Sequence, residues 1–108
     1  MEYYVNKTAN LGSNIDIGYN SYIGENVVIG NGCRIGCGVI IHDDTSIGSN
    51  VRIDDNTVLG KLPMKAANSA TTKEQLLPAL TIGDDCIIGT SAVIYRGARI
   101  GKKILIAD

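Results

Sequence analysis

Aliphatic side chains recur at every sixth position through the first half of the chain: Val5, Leu11, Ile17, Ile23, Ile29, Ile35, Ile41, Ile47, Ile53 and Leu59. The spacing lapses after Leu59 and resumes in another phase at Ile82, Ile88, Ile94, Ile100 and Ile106. A fixed internal period marks one structural unit stacked on itself. Gly follows the aliphatic residue in most units, as at Gly12, Gly18, Gly24, Gly30, Gly36, Gly48, Gly83 and Gly101. Four positions after the aliphatic residue stands a second small or branched side chain, among them Ser21, Val27, Cys33, Val39, Thr45, Val51, Thr57 and Cys86. Asn, Asp and Ser crowd the positions between.

The beat of an amphipathic helix is missing from this pattern. Short extended strands fit instead, joined by turns whose residues tolerate positive φ. The aliphatic residue and the smaller one four places on share a parity, so both can face an interior. Three such strands close a triangular coil, and coils stack about 4.8 Å apart with parallel pairing. The prediction is an all-β parallel β-helix of about five coils, forming one domain over residues 1–108 with an extended loop inserted at 60–81.

Hexads such as Ile17-Gly18-Tyr19-Asn20-Ser21-Tyr22 and Ile29-Gly30-Asn31-Gly32-Cys33-Arg34 resemble the repeat of the left-handed β-helix hexapeptide acyltransferases. The resemblance covers nearly the whole chain. It implies a left-handed coil, where the general rule for parallel crossovers gives a right-handed one. It also implies a homotrimer with active sites at the subunit interfaces and acetyl-CoA as the acyl donor.

Composition narrows the field. The absence of Trp and Phe suits a prism too thin for large rings. Ten basic and eleven acidic residues give no electrostatic support for nucleic-acid binding. No apolar run is long enough to span a bilayer, and Met1-Glu2-Tyr3-Tyr4 does not open a secretory signal. A cytoplasmic enzyme is expected. Cys33 and Cys86 fall in inward slots and Cys37 in a turn; without paired CxxC spacing they form neither a zinc site nor a disulfide framework, and no metal is predicted. A single histidine also rules out the carbonic-anhydrase branch of the fold, which requires three histidine ligands.

The chemistry is expected where the period breaks. The segment from Gly60 to Thr81 contains both prolines, Pro63 and Pro78, and the lysines Lys61, Lys65 and Lys73. Solenoid insertions leave at corners and often build a binding face. The run KLPMKAANSAT resembles the corresponding stretch of acyltransferases that modify nucleotide-linked amino sugars, which makes Lys61, Lys65, Asn68 and Lys73 candidate acceptor contacts.

In the hexad Ile41-His42-Asp43-Asp44-Thr45-Ser46, the histidine takes the place of Gly. One coil later the same column holds Gly60, so His42 is expected beneath the root of the insertion. If Ile82 opens the second face of its coil, Tyr95 joins this column above Gly60. A neutral imidazole suits removal of a proton from an attacking amine or hydroxyl. Asp43 or Asp44 could orient the ring or hold the acceptor's ammonium, with strand parity favouring Asp44. Asp54 also replaces Gly, but on another face, and reads as a turn variant.

The family resemblance implies that the pantetheine arm of acetyl-CoA runs along the C-terminal coils. Gly89, Ala92, Tyr95, Gly97 and Ala98 are candidates to line it. Arg96, Arg99, Lys102 and Lys103 are candidates to meet its phosphates. The chain stops within a hexad, at Ile104-Leu105-Ile106-Ala107-Asp108, whereas relatives usually run on. The expectation is that C-terminal coils are truncated, and that an open last coil invites end-to-end association. Two other functions are compatible with the sequence: O-acetylation of a sugar or small alcohol, and a non-catalytic assembly domain.

Overall fold

The computed structural model describes residues 2–64 and 77–108, to which every structural statement below refers. The strands follow one another as β1 (Tyr4–Val5), β2 (Asn10–Leu11), β3 (Asp16–Ile17), β4 (Tyr22–Ile23), β5 (Val28–Ile29), β6 (Arg34–Ile35), β7 (Ile40–Ile41), β8 (Ser46–Ile47), β9 (Arg52–Ile53) and β10 (Val58–Lys61). After the insertion come β11 (Thr81–Ile82), β12 (Ile87–Ile88), β13 (Val93–Tyr95), β14 (Arg99–Ile100) and β15 (Leu105–Ile106). Nearly all are two residues long because the hexad allows only one inward aliphatic residue and its predecessor before the next corner.

Successive strands go to successive sheets. The first sheet is ordered β1-β4-β7-β10-β13, the second joins β2, β5, β8, β11 and β14, and the third joins β3, β6, β9, β12 and β15. Described pairings are parallel and stack the period on itself: Ile23 on Ile41, Ile29 on Ile47, Ile35 on Ile53. Ile82 pairs with Ile47, so it does open the second face of its coil. The aliphatic columns and the smaller inward residues Val27, Cys33, Val39, Val51 and Cys86 form one continuous buried core.

The corners are closed by two devices that the sequence pattern anticipates. Asn14, Asn20, Asn26, Asn50 and Asn56 adopt left-handed backbone with φ between 55° and 61°, a conformation Asn tolerates better than most side chains. One position earlier, a short polar side chain stitches its coil to the one before. Asn31 Oδ1 accepts from Ser13 N–H at 2.9 Å, Asp55 Oδ1 from Cys37 N–H at 2.9 Å, and Asp84 Oδ1 from Ser49 N–H at 2.8 Å. The recurrent spacing of glycines has a steric cause: a Cβ at Gly48 would lie 2.8 Å from the backbone nitrogen of Asp84 in the next coil. A side chain at such a position therefore needs local accommodation, which directs attention to His42.

The insertion is bounded more tightly than the lapse in period indicates. β10 carries strand structure through Lys61, and Leu80, fully buried, already fills the inward slot before β11. The Leu80 carbonyl accepts from Ser46 N–H at 3.0 Å, so the chain has rejoined the prism before Thr81.

Candidate active site

The corner that follows the first sheet carries His42. Ile41, buried at the end of β7, fixes the start of the turn, and the His42 N–H donates to Leu59 O at 2.9 Å. Asp44 adopts φ 68° and its N–H donates to Glu25 O at 2.8 Å, so the turn is anchored to the coils on both sides. Above it, the ladder is broken by a bulge: Leu59 pairs with Ile94, but Lys61 pairs with Tyr95, and Gly60 has φ 81°. A Cβ at Gly60 would lie 3.4 Å from His42 Cβ and 2.5 Å from Thr45 Oγ1. The histidine is thus accommodated where the overlying coil leaves regular register, and only Gly fits the bulge without strain.

The bulge leaves a chemical trace. Elsewhere, the inward hydroxyl or thiol donates to the carbonyl fifteen residues on: Ser21 Oγ to Gly36 O at 2.8 Å, Cys33 Sγ to Gly48 O at 3.1 Å and Cys86 Sγ to Gly101 O at 3.0 Å. The corresponding acceptor for Thr45 is Gly60 O, and that bond is not made. Thr45 Oγ1 is buried with no hydrogen-bond partner among the described residues.

Arg96 spans the corner from above. Its Nε donates to Leu77 O at 3.1 Å, Nη1 to Asp43 O at 3.1 Å, and Nη2 lies 3.4 Å from Asp44 Oδ2. Lys61 Nζ stands 6.0 Å from the centroid of the Tyr95 ring, at the outer limit of a cation–π contact. Between these groups lies a groove of about 480 Å³ lined by His42, Asp43, Asp44, Gly60, Lys61, Leu62 and Arg96. A second groove of about 590 Å³ runs along the third sheet and its corner, where Asp54 is held by Arg52 at 2.8 Å. It gathers charged side chains but no histidine.

The structure sorts the sequence-derived candidates. His42, Asp43, Asp44, Lys61 and Arg96 come together in one groove. Asp43 does not direct its carboxylate at the imidazole; its Oδ1 accepts from Glu25 N–H at 2.8 Å, the same corner stitch that Asp55 and Asp84 make. Asp44 shares its carboxylate between Arg96 and Asn26, and no hydrogen bond joins the His42 ring to either aspartate among the described residues. Tyr95 joins the His42 column as expected, but the bulge sets it opposite Lys61, not Gly60. Lys65, Asn68 and Lys73 lie outside the described residues.

The residues assigned to the acyl donor fall at different places. Tyr95, Arg96 and Gly97 share the His42 corner, whereas Gly89 belongs to the third corner and Lys102 and Lys103 to the second. Ala92 and Ala98 pack against the core. Lys102 lies 3.9 Å from Asp84, and Arg99 is exposed on the outer face of the second sheet. Arg96, a candidate for phosphate contacts, has its guanidinium facing three protein acceptors. Its hexad slot held the missed signal: Asn31, Asp43, Asp55 and Asp84 occupy it in other coils, and an arginine there cannot make their short stitch.

A stacked hexad prism with its one histidine at the foot of an insertion has clear relatives. Residues 26–61 match the bacterial transferase hexapeptide (six repeats) family, and residues 79–107 match the hexapeptide repeat of succinyl-transferase. The chain belongs to the hexapeptide-repeat family, and its prism is a left-handed parallel β-helix. Among solved structures it is similar to a UDP-N-acetylglucosamine acyltransferase from Campylobacter jejuni, with a TM-score of 0.79 and 23% identity. That match covers 97% of this chain and 42% of the other, so the chain spans less than half the length of that protein. The likeness at this identity is one of fold. No curated protein matches the chain by sequence.

Proposed function

We propose that the chain is an acyl-CoA-dependent acyltransferase that N-acetylates a nucleotide-linked amino sugar, with His42 as general base. The observation that carries this reading is the placement of the chain's one imidazole in a groove at the exit of the insertion, beside Lys61 and the Arg96 guanidinium. Hexapeptide families named for transferases support the reaction class. The similar structure's name, a UDP-N-acetylglucosamine acyltransferase, supports a nucleotide-linked sugar as the acceptor.

In this mechanism the acceptor nitrogen attacks the thioester carbonyl carbon of acetyl-CoA, the co-substrate, and His42 takes the proton released as the C–N bond forms. The C–S bond then breaks, and the imidazolium returns the proton to the departing CoA thiolate. A positioned base of this kind contributes about 10²- to 10⁴-fold, and holding both substrates in one groove supplies much of the rest. Asp43 and Asp44 shape the corner, since their oxygens are already engaged. Tyr95 and Gly97 offer a ring and a bare backbone to the acyl donor, and Lys61 is available to an anionic part of the acceptor. A hydroxyl acceptor would use the same base.

A homotrimer completes the proposal. The outer face of the first sheet stacks Tyr4, Tyr22, Ile40, Val58 and Val93 in one apolar ladder beside His42, with the Tyr4 and Tyr22 rings 5.2 Å apart. Such a ladder supports cover by a second copy, which would also wall the acyl-donor groove. The proposed compartment is the cytoplasm, where CoA thioesters are available.

The test begins with titration calorimetry of acetyl-CoA, then turnover of amino-sugar nucleotides by wild type and His42→Ala. The variant is expected to keep its oligomeric state and acetyl-CoA affinity while kcat falls at least ~100-fold. Undiminished turnover in the folded variant would remove His42 from the chemistry.

A further inference from the structure

We infer that Arg96 is a positioning residue that ties both ends of the insertion to the His42 turn, so that those two ends and the base are held in place together. Its main chain holds the exit, since Arg96 N–H donates to Lys61 O at 2.9 Å. Its Nε holds the return, at Leu77 O, 3.1 Å away. Its two terminal nitrogens hold the turn itself, through Asp43 O at 3.1 Å and Asp44 Oδ2 at 3.4 Å. No other described side chain makes hydrogen bonds to both the turn and the insertion's return.

Arginine is suited to this task for a definite reason. Its planar fork presents several donors in fixed directions and is always charged, whereas lysine offers one flexible point charge. The acceptors are two backbone carbonyls and one carboxylate, arriving from two segments more than fifty residues apart for the turn and nineteen for the return. The guanidinium is largely enclosed, with 23% of the side chain exposed, so solvent does not replace these bonds cheaply. Leu77 packs next to Gly97, where an added Cβ would meet its side chain at 3.6 Å, which keeps the return against the coil that carries Arg96.

The geometry has a kinetic consequence that rests on the acyltransfer reading, and a structural one that does not. Amide hydrogen exchange tests the structural part on the full chain. In Arg96→Gln and Arg96→Lys, the amides of residues 43–45 and of Leu77, Ala79 and Leu80 are expected to exchange faster together, by about tenfold or more, with amides at the second and third corners unchanged. In acetyl transfer, the same variants are expected to lose ~10- to 100-fold in kcat while the KM for acetyl-CoA stays within about twofold. Arg96→Gln keeps the aliphatic stem and a polar amide without the terminal nitrogens that meet the turn, and Arg96→Lys keeps the charge without the fork; unchanged exchange at the second and third corners verifies the fold. If the turn loosens without the return, or neither does, the tie does not exist, whatever the activity. Coupled exchange with no kcat effect in an active enzyme would reduce Arg96 to a structural clasp. If wild type shows no acetyl transfer, the acyltransfer reading fails and the exchange result still decides the tie.

Discussion

Thr45 and Thr57 occupy equivalent inward slots at two corners of the coil, and both are fully buried, yet their hydroxyls differ in one respect. Thr57 Oγ1 donates to Gly89 O at 2.8 Å, while Thr45 Oγ1 has no partner among the described residues because the bulge at Gly60 removes its acceptor. Replacing each by the near-isosteric Val should therefore have opposite effects. Thr57→Val strands a buried carbonyl and is expected to cost about 1–3 kcal/mol. Thr45→Val deletes an unsatisfied donor and fills the same space, so it is expected to be neutral or to stabilise by up to about 1 kcal/mol. The gap of roughly 1–4 kcal/mol corresponds to a difference in Tm of about 4–8 °C for each kcal/mol in a domain of this size. Thermal unfolding followed by circular dichroism measures it, with protomer concentration held equal because association shifts Tm. If Thr45→Val loses as much stability as Thr57→Val, its hydroxyl has an acceptor and the account of the Gly60 bulge is wrong.

Gly60→Ala should be strongly destabilising, since it combines left-handed backbone, costing about 1–2 kcal/mol, with a Cβ pressed 2.5 Å from Thr45 Oγ1. Gly101→Ala, where an added Cβ meets nothing within 4 Å, is the control and should unfold close to wild type; equal losses at the two sites would contradict the steric argument. Thiol chemistry gives another test. Cys37 is exposed while Cys33 and Cys86 are buried, and burial pushes the Cys33 thiol above its ordinary range. A thiolate-selective reagent near pH 8 should label one of the three thiols in the native chain and all three after unfolding. Because folding holds Cys33 protonated, its contribution is complete below the ordinary thiol pKa and is lost as pH rises through the higher folded value. Rapid labelling of two or three native thiols would overturn the inward placement of those slots.

Much of the fold was legible because the hexad encodes contacts between residues a whole coil apart. Val28 pairs with Ser46, and Asp16 with Arg34, at the spacing that the period dictates. The same logic located His42 under Gly60, since both precede or begin the insertion and no unknown length lies between them. It also put Asn where φ must be positive. What the period could not carry is anything that crosses the insertion. The tie between Arg96 and Asp44 depends on a loop of irregular length and on the rotamer of a long side chain, neither of which a six-residue beat specifies. The hand of the coil is likewise absent from the pattern, and the sterics of ordinary crossovers favour the other one.

The two departures from the hexad at this corner are physically one. A side chain in place of Gly at His42 crowds the coil above, and a bulge at Gly60 relieves that crowding at the point where the strand must leave for the insertion. Relief has its own consequence, the unpartnered hydroxyl of Thr45. Ser21, Cys33, Thr57 and Cys86 all make the ladder bond that Thr45 lacks, which sets this corner apart from the rest of the described stack. The departure from the regular stack therefore coincides with the histidine, the groove and the Arg96 contacts, and it is read from the geometry without any resemblance.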